Sequence, residues 1–326
     1  MERLTENKIV LIVRETRIEE LKARFNTVSQ ARFYVRQLGG DFADYEAEDA
    51  AYREAVSHAR QTLARLARVQ TVHRAFLPNF IFGPDDIAVA IGQDGLVANT
   101  LKYLDGQPLV GVNPDPARYD GQLLPFTAKD IGRIIPEVFR RERPLKTVTM
   151  ARATLTNGQA LHAVNDLFIG PRSHGSARYT IHHGARIERH SSSGIIVSTG
   201  LGSTGWLASL IAGANGIAAA LGAPPPGSMP KAKKKHSDSL ASSVSLRIPW
   251  DADHLYFTVR EPFPSKTTST ALVFGRVASG APLCLESHMA EHGVIFSDGI
   301  EADYLEFNSG MKATIELAAR KGCLVT

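Results

Sequence analysis

The sequence lacks the features that mark several classes of protein. Its two cysteines, Cys284 and Cys323, are too few for a disulfide framework or a cysteine-rich zinc site. No apolar run approaches the roughly 20 residues that a membrane-spanning helix needs. The N-terminus carries acids ahead of a short apolar run at residues 9–13, which fits neither a secretory signal nor a transit peptide. We therefore expect a cytoplasmic protein with no membrane partner.

The charge of the chain shows little excess of one sign. Lys and Arg number 37 against 33 Asp and Glu, a formal net charge of +4 over 326 residues. This surplus suits an anionic ligand such as a nucleotide, whereas a nucleic-acid-binding protein usually carries a basic stripe. A dense basic run at residues 231–235 lies in a segment rich in Pro, Gly and Ser. It predicts a mobile loop at residues 224–236, either solvated or acting as a flap over an anion.

The first part of the chain alternates strand and helix patterns. Apolar, β-branched runs predict strands at residues 8–13, 69–72, 86–91 and 108–113. Apolar residues at helical spacing predict helices at residues 44–67, 96–104 and 128–139. Strands and helices in this succession are typical of an open, mostly parallel sheet. Residues 1–145 are therefore predicted to form an α/β domain.

From about residue 146 the apolar pattern changes to a period of two. An Asn157-Gly158 hairpin signal separates a predicted strand at residues 147–155 from a partner strand at residues 161–169. Further strands are predicted at residues 178–181, 195–197, 255–259 and 293–296, with one helix at residues 206–221. Residues 146–326 are thus predicted to form a β-rich domain, whose extreme C-terminus packs back on the first domain.

Gly92, Gln93, Asp94 and Gly95 form the most informative segment of the first domain. They follow a buried strand at the sheet edge where open α/β proteins bind their ligands. Glycines there let the backbone approach a polyphosphate, and the following helix offers free N–H groups. A carboxylate beside phosphates needs a chemical reason, either to contact Mg²⁺ or to take a proton from an attacking hydroxyl. A plain turn with a helix-capping Asp is the structural alternative.

Two other motifs match known patterns without their structural context. Residues 200–205 fit the G-x-G-x-x-G pattern, but no acid follows before Asp238, so a Rossmann ribose contact is missing. Residues 288–292 fit the H-x-x-E-H zinc-protease pattern, but Gly293 and a strand follow directly, which favours a loop. The Walker pattern G-x-x-x-x-G-K-[ST] does not occur. Neither a hydride-transferring Rossmann site nor a zinc protease is expected.

Taken in order along the chain, the motifs resemble those of the NAD kinase family. The resemblance rests on Gly92-Gln93-Asp94-Gly95, Val164-Asn165-Asp166-Leu167, residues 193–206 and Phe296-Ser297-Asp298-Gly299, and it covers roughly residues 85–320. Four further features are similar to the divergent mitochondrial-type branch of that family. These are residues 111–118, Ser192-Ser193-Gly194, Trp206 and Val259-Arg260-Glu261-Pro262.

The resemblance implies an N-terminal α/β domain, a β-rich C-terminal domain and a homodimer. The implied reaction transfers a phosphoryl group from ATP to the adenosine ribose 2′-hydroxyl of NAD, with a divalent metal such as Mg²⁺. Asp94 is then the proton acceptor or metal-linked acid, and Asn165 and Asp166 hydrogen-bond NAD. The other residues implied to contact the nucleotides are Gly92, Gln93, Gly95, Asn113, Ser198, Thr199, Gly202, Ser203, Thr204, Trp206 and Asp298.

Two departures from the family pattern lie in the phosphate turn. Gln93 stands in place of the second glycine, and Leu96 in place of a threonine. They leave open a catalytically weak dinucleotide-binding module. A lipid or sugar kinase of the wider superfamily is a further alternative, although Asn165-Asp166 argues against a lipid substrate.

Overall fold

The computed structural model describes residues 5–222 and 248–326, which divide into two compact units. Unit 1 comprises Met1–Val148 and Arg320–Thr326, and unit 2 comprises Thr149–Ala319. The loop predicted at residues 224–236 lies outside the described residues. The assignment of a nucleotide-binding role to residues 1–145 and an NAD-binding role to residues 146–326 stays a prediction.

Unit 1 alternates strands and helices. Its strands are β1 (Lys8–Val13), β2 (Arg68–His73), β3 (Ile87–Ile91), β4 (Pro108–Asn113) and β5 (Phe126–Thr127), and its helices are α1 (Arg17–Phe25), α2 (Val28–Gln37), α3 (Phe42–Leu66), α4 (Asp94–Leu101) and α5 (Ile131–Phe139). Polar side chains start the first helices. Thr16 forms a reciprocal capping box with Glu19 at α1, and Asp41 caps α3.

The strands of unit 1 form a parallel sheet in the order β2-β1-β3-β4-β5. Near the C-terminus, Cys323 and Leu324 also pair in parallel with β4. The apolar faces of α3 and α5 share one buried cluster with residues of β1, β3 and β4. Every residue of β3 is buried, as expected for a central strand covered on both faces. This strand carries the Gly92–Gly95 segment at its carboxyl end.

Unit 2 is built mainly from antiparallel strands. After β6 (Leu145–Leu155), which begins in unit 1, the strands are β7 (Ala160–Ala163), β8 (Asp166–Pro171), β9 (Ala177–His183), β10 (Arg186–Ser192), β11 (Ile195–Ser198), β12 (His254–Val259), β13 (Phe274–Ala278), β14 (Leu283–Ser287), β15 (Gly293–Ser297), β16 (Ile300–Glu306) and β17 (Lys312–Val325), which ends in unit 1. Helix α6 covers Trp206–Ala220.

Two sheets of unit 2 enclose its main core. One has the order β13-β12-β11-β8-β15-β16, and in the other β10, β9, β14 and β17 are neighbours. Alternate residues of both sheets, among them Ile169, Val197, Tyr179 and Leu285, pack into one buried cluster. The opposite face of the first sheet carries a smaller cluster, in which Phe168 and Ile196 pack with Trp206 of α6.

The structure confirms the predicted fold class, an α/β unit with parallel strands and a β-rich unit. Two predicted elements are wrong in detail. The strand predicted at residues 161–169 is two strands, β7 and β8, because the N–H groups at the break go to the carboxylate of Asp298. The helix predicted to start at residue 96 starts at Asp94, because a carboxylate is stabilised near the positive end of the helix dipole.

Candidate functional site

Gly92 follows β3 and leads directly into α4. Its N–H donates to the carbonyl of Val112 in the neighbouring strand, at 3.2 Å. A Cβ on Gly92 would lie 2.9 Å from Cδ2 of Leu96 and 3.5 Å from Nε of Arg14. The missing side chain therefore lets α4 and Arg14 approach the turn closely. Gln93 is the exposed N-cap residue of α4, and its side chain makes no cap hydrogen bond.

The carboxylate of Asp94 is held by the backbone of a loop that follows β4. Its Oδ1 accepts the N–H of Leu123 at 2.8 Å, and its Oδ2 accepts the N–H of Gln122 at 3.2 Å. Each carboxylate oxygen has a second lone pair, so both can still accept a hydrogen bond from a ligand. Asp94 is thus the first residue of a helix and is also fixed in orientation at the carboxyl end of the sheet.

Asn113, at the carboxyl end of β4, shapes the start of the same loop. Its Nδ2 donates to the carbonyl of Tyr119 at 2.9 Å, and its Oδ1 accepts the N–H of Asp115 at 3.0 Å. Gly121 completes the turn with φ of 64°, and a Cβ there would lie 2.8 Å from Nδ2 of Asn113. The amide of Asn113 therefore organises the loop, and its predicted contact with a nucleotide stays a prediction.

A charge cluster anchors the middle of this loop to α3. Arg118 lies 2.7 Å from the carboxylate of Asp44 and 3.4 Å from that of Asp115, and Arg17 lies 2.8 Å from Asp44. Hydrogen bonds from Arg118, and then from Arg17, lower the pKa of Asp44 to about 2. The loop is thus fixed at three points, by Asn113, Arg118 and Asp94.

Sequence reasoning missed a buried polar group beside the turn. The guanidinium of Arg14 donates to Oε1 of Glu48 at 2.6 Å, and both side chains are less than a tenth exposed. The hydroxyl of Tyr52 accepts the N–H of Arg14 and donates to the carbonyl of Ile91, and burial raises the pKa of Tyr52 to about 12. A charged residue directly after the apolar run of β1 was the signal for Arg14. Its partner in α3 is too distant in sequence to be recognised.

In unit 2, one carboxylate organises the predicted NAD-contacting pair. Asp298 accepts the N–H groups of Val164 at 3.1 Å, Asn165 at 2.6 Å and Asp166 at 3.3 Å. Its own N–H donates to the carbonyl of Asp166, and its φ of 54° lies in the left-handed region. Such strain in a residue other than glycine needs compensation, which the three hydrogen bonds provide. Asp298 therefore holds the backbone of Asn165 and Asp166 in place.

The segment that follows β11 packs against the same pair. Thr199 donates its hydroxyl to the carbonyl of Val164 at 2.5 Å, and its N–H to the carbonyl of Asn165 at 2.9 Å. A Cβ on Gly202 would lie 2.2 Å from the carbonyl oxygen of Asn165, so only glycine fits there. The structure thus brings Asn165, Asp166, Thr199, Gly202 and Asp298 together.

Three other predicted residues of this segment have different surroundings. Ser203 is buried and donates its hydroxyl to the carbonyl of Gly200 at 2.7 Å, whereas Thr204 is exposed. Trp206 stacks on Phe168, with ring centres 5.9 Å apart and planes 9° apart. The contacts predicted for these residues with a nucleotide stay predictions.

Asp166 is a partly buried acid with an unusual pKa. Burial raises its pKa to about 7, the charge of Asp298 adds to the rise, and a hydrogen bond with Ser198 opposes it. Among the described residues, its Oδ1 is buried and has no hydrogen-bond partner. A carboxyl group that titrates near neutral pH and keeps an unsatisfied oxygen is typical of a binding or catalytic site.

The described residues contain no ready-made metal cage. Within residues 5–222 and 248–326, no three His, Cys, Asp or Glu side chains form a group that could hold a metal ion. Residues 288–292 form a loop, as predicted, in which Nε2 of His288 lies 2.8 Å from Oγ1 of Thr180. Among the same residues, no helix is both long and apolar enough to cross a membrane.

The comparisons with known proteins identify the class of fold. No protein-family model matches the sequence, and no curated protein matches it. Yeast NADH kinase, solved in complex with NADH, superimposes with a TM-score of 0.58 at 14% identity, over 99% of this chain and 84% of that chain. An NAD kinase from Archaeoglobus fulgidus, solved in complex with ATP, gives a TM-score of 0.53 at 13% identity, over 98% of this chain and 93% of that chain.

These two likenesses show that the chain has the fold of the NAD kinases. They extend over almost its whole length and so include both units. The resemblance to the mitochondrial-type branch stays a prediction.

Proposed function

We propose that this chain is an NAD kinase, which transfers the γ-phosphoryl group of ATP to the 2′-hydroxyl of the adenosine ribose of NAD. The observation that carries the proposal is the placement of Asp94 in an NAD kinase fold. It is the first residue of a helix that directly follows a buried parallel strand. That position suits a phosphate-binding turn whose carboxylate serves the attacking hydroxyl.

In this proposal Asp94 accepts the proton of the ribose 2′-hydroxyl. The N–H groups of Gln122 and Leu123 fix its carboxylate and leave lone pairs for that proton. A ribose hydroxyl is a poor nucleophile, so fixed positioning and neutralisation of charge supply most of the acceleration. The free N–H groups at the start of α4 would face the phosphates.

Asn165 and Asp166 would hydrogen-bond NAD. Asp298 and Thr199 hold their backbone, so the two side chains are presented without further ordering. The unpartnered Oδ1 of Asp166 suits a hydroxyl donor such as a ribose hydroxyl. Ionised Asp166 is the form that can accept two such hydrogen bonds.

The divalent metal would enter with ATP. Mg²⁺ in kinase sites is commonly held by one or two carboxylates together with substrate phosphates, and Asp94 can supply one carboxylate. Bound there, the metal would neutralise charge on the phosphates. We further propose, from the resemblance, a cytoplasmic homodimer, for which sedimentation analysis of the purified protein is the test of assembly.

Incubation of the purified protein with ATP, Mg²⁺ and NAD tests the proposal, with NADP detected by an NADP-specific dehydrogenase. The proposal requires NADP formation that depends on ATP and NAD. One observation favours the alternative of a weak dinucleotide-binding module. Leu96 is buried and packs against Gly92, whereas a threonine at position 96 would offer a hydroxyl. That module would bind NAD in calorimetry without forming NADP.

A further inference from the structure

The β4–β5 loop (residues 114–125) holds the carboxylate of Asp94, and the first part of this loop has no apolar anchor. Of residues 114–122, which all belong to the described part of the chain, none is buried. The next two residues, Leu123 and Leu124, are only 4% and 3% exposed, so apolar burial fixes the second part. Segments with few buried apolar contacts open at a small cost in free energy. The position of residues 114–122 therefore depends on polar contacts.

Arg118 makes the polar contacts in the middle of this first part. Its Nη2 lies 2.7 Å from Oδ1 of Asp44, and its Nε lies 3.4 Å from Oδ2 of Asp115. The same Nη2 donates to the backbone carbonyl of Asp44 at 3.4 Å. The carbonyl of the next residue, Tyr119, is held by the side chain of Asn113. Because Asp44 belongs to α3 and Asp115 to the loop, the side chain of Arg118 joins the loop to a helix.

The partner of Arg118 on α3 is itself held in place. Asp44 lies in the first turn of α3, and its Oδ2 accepts a hydrogen bond from Arg17 at 2.8 Å. The guanidinium of Arg17 also lies 4.2 Å from the ring centre of Tyr45, a favourable cation–π contact. Helix α3 shares a buried cluster with β3, the strand that leads to Asp94. Asp44 is thus a fixed acceptor on an element packed against the same sheet.

The two oxygens of the Asp94 carboxylate depend on different anchors. Oδ1 accepts the N–H of Leu123, which is held by apolar burial. Oδ2 accepts the N–H of the exposed Gln122, at 3.2 Å. Gln122 follows Arg118 by four positions, so a shift of the backbone at Arg118 reaches it over a short stretch of chain. The hydrogen bond to Oδ2 is therefore the one that the contacts of Arg118 support.

We propose that Arg118 is a positioning residue for Asp94. Its contact with Asp44 holds the first part of the β4–β5 loop and thereby keeps the N–H of Gln122 against Oδ2 of the Asp94 carboxylate. This role rests on the proposed function, in which that carboxylate accepts the proton of the ribose hydroxyl. With Gln122 displaced, the carboxylate keeps one hydrogen bond, to Leu123, and can rotate about it. The orientation that meets the hydroxyl is then populated for a smaller fraction of the time.

The exposure of the ion pair limits the size of the effect. The side chains of Arg118 and Asp44 are 25% and 44% exposed, so water and salt screen their attraction. We expect Arg118→Gln to lower kcat by about three- to tenfold, because exposed ion pairs shift a local equilibrium by a few-fold and two acids are involved. KM for NAD and for ATP should stay within about twofold, because a positioning residue contacts neither substrate. A fall in kcat of more than about 100-fold would contradict this role, since exposed ion pairs cannot supply it.

The test compares NADP formation by the unmodified full chain, Arg118→Gln and a matched control, Arg53→Gln. Arg53 also bridges two acids, at 2.8 Å from Asp49 of α3 and 2.8 Å from Glu19 of α1, both outside the loop. Arg53→Gln should leave kcat within about twofold of the unmodified protein. Asp44→Asn removes the partner of Arg118 and should act in the same direction as Arg118→Gln, so it decides the matter if Arg118→Gln fails to fold.

A double-mutant cycle measures whether Arg118 acts through Asp94. In Asp94→Asn, the side-chain oxygen that stays with Leu123 leaves an amide nitrogen toward Gln122, and this nitrogen cannot accept an N–H. Addition of Arg118→Gln to Asp94→Asn should therefore lower kcat by less than about twofold. The proposal would be overturned if Arg118→Gln lowered kcat equally in both backgrounds, or left kcat of the otherwise unmodified protein unchanged.

Hydrogen exchange at the backbone N–H of Gln122 separates the positioning role from the proposed function, because it needs no catalysis. Measured by NMR, exchange at Gln122 should be at least about threefold faster in Arg118→Gln than in the unmodified protein, with Leu123 nearly unchanged. Arg53→Gln should alter neither N–H. If the unmodified protein forms no NADP, the proposed function fails and the exchange alone decides the positioning role. Equal exchange at Gln122 in Arg118→Gln and the unmodified protein would overturn that role.

Discussion

Replacement of Asp166 by Asn should change how the stability of the protein depends on pH. Burial and the neighbouring Asp298 raise the pKa of Asp166 from 3.8 to about 7 in the folded protein. Between these two pH values the folded state binds a proton that the unfolded state has lost. The free energy of unfolding therefore falls as the pH rises through this window. The amide side chain in the Asp166→Asn variant does not titrate, so the variant does not lose this stability as the pH rises.

The structure sets the size of the effect. A pKa of about 7 against 3.8 corresponds to at most about 4 kcal/mol, since one pKa unit is worth about 1.4 kcal/mol. Roughly 2–3 kcal/mol of this falls between pH 5 and pH 8. Urea unfolding of the two proteins at both pH values measures it directly. Comparison of Asp166→Asn with the unmodified protein cancels the titration of the groups that do not interact with Asp166, whereas Asp298 is coupled to it.

When the pH is raised from 5 to 8, the free energy of unfolding of Asp166→Asn should rise by about 2–3 kcal/mol relative to that of the unmodified protein. A stability difference that stays constant within about 0.5 kcal/mol would refute the reasoning, because Asp166 would then titrate as an ordinary acid. The same ionisation should appear in catalysis. If ionised Asp166 accepts a hydrogen bond from a ribose hydroxyl, kcat/KM for NAD should rise with pH through about 7. Asp166→Asn should abolish this rise.

Three further experiments test separate parts of the site. Asp298→Ala leaves the N–H groups at the β7–β8 break without their acceptor, so it should lower the free energy of unfolding by about 2 kcal/mol or more and raise KM for NAD. Asp298→Asn keeps an acceptor oxygen and should restore much of the stability and of the KM. Equal stability in urea of the unmodified protein and the two variants would contradict the positioning role. Asn165→Ala combined with Asp166→Ala should weaken NAD binding at least about tenfold in calorimetry, and unchanged affinity would remove the pair from the site. Gln93→Gly should raise kcat/KM for ATP if the exposed Gln93 side chain crowds the phosphates and lower it if that side chain binds them; no change would exclude both roles.

Local patterns in the sequence were sufficient to predict the two kinds of structure. The alternation of strands and helices in unit 1 follows from apolar runs and helical spacing, and the β-rich unit follows from a period of two. The turn after β3 could be located because a glycine–aspartate pair follows a fully apolar strand. Each of these signals lies within about 15 residues of sequence.

The groups that fix the candidate site in place depend on contacts between residues that are distant in sequence. The carboxylate of Asp298 reaches Val164, Asn165 and Asp166, which precede it by 132–134 residues, and it divides a predicted strand in two. The loop contacts of Asp94 and the burial of Arg14 against Glu48 likewise depend on how elements pack. The sequence motifs therefore predicted the residues proposed to act in the reaction, but not the residues that position them.

The most direct test is the rate of NADP formation by the purified protein and by Asp94→Asn. Asn keeps the size of Asp and its turn preference, and its Oδ1 can still accept the N–H of Leu123, so the loop contact at 2.8 Å can persist. If Asp94 accepts the proton, kcat should fall at least about 100-fold while the affinity for NAD is nearly unchanged. NADP formation by Asp94→Asn at the rate of the unmodified protein would contradict the proposed mechanism.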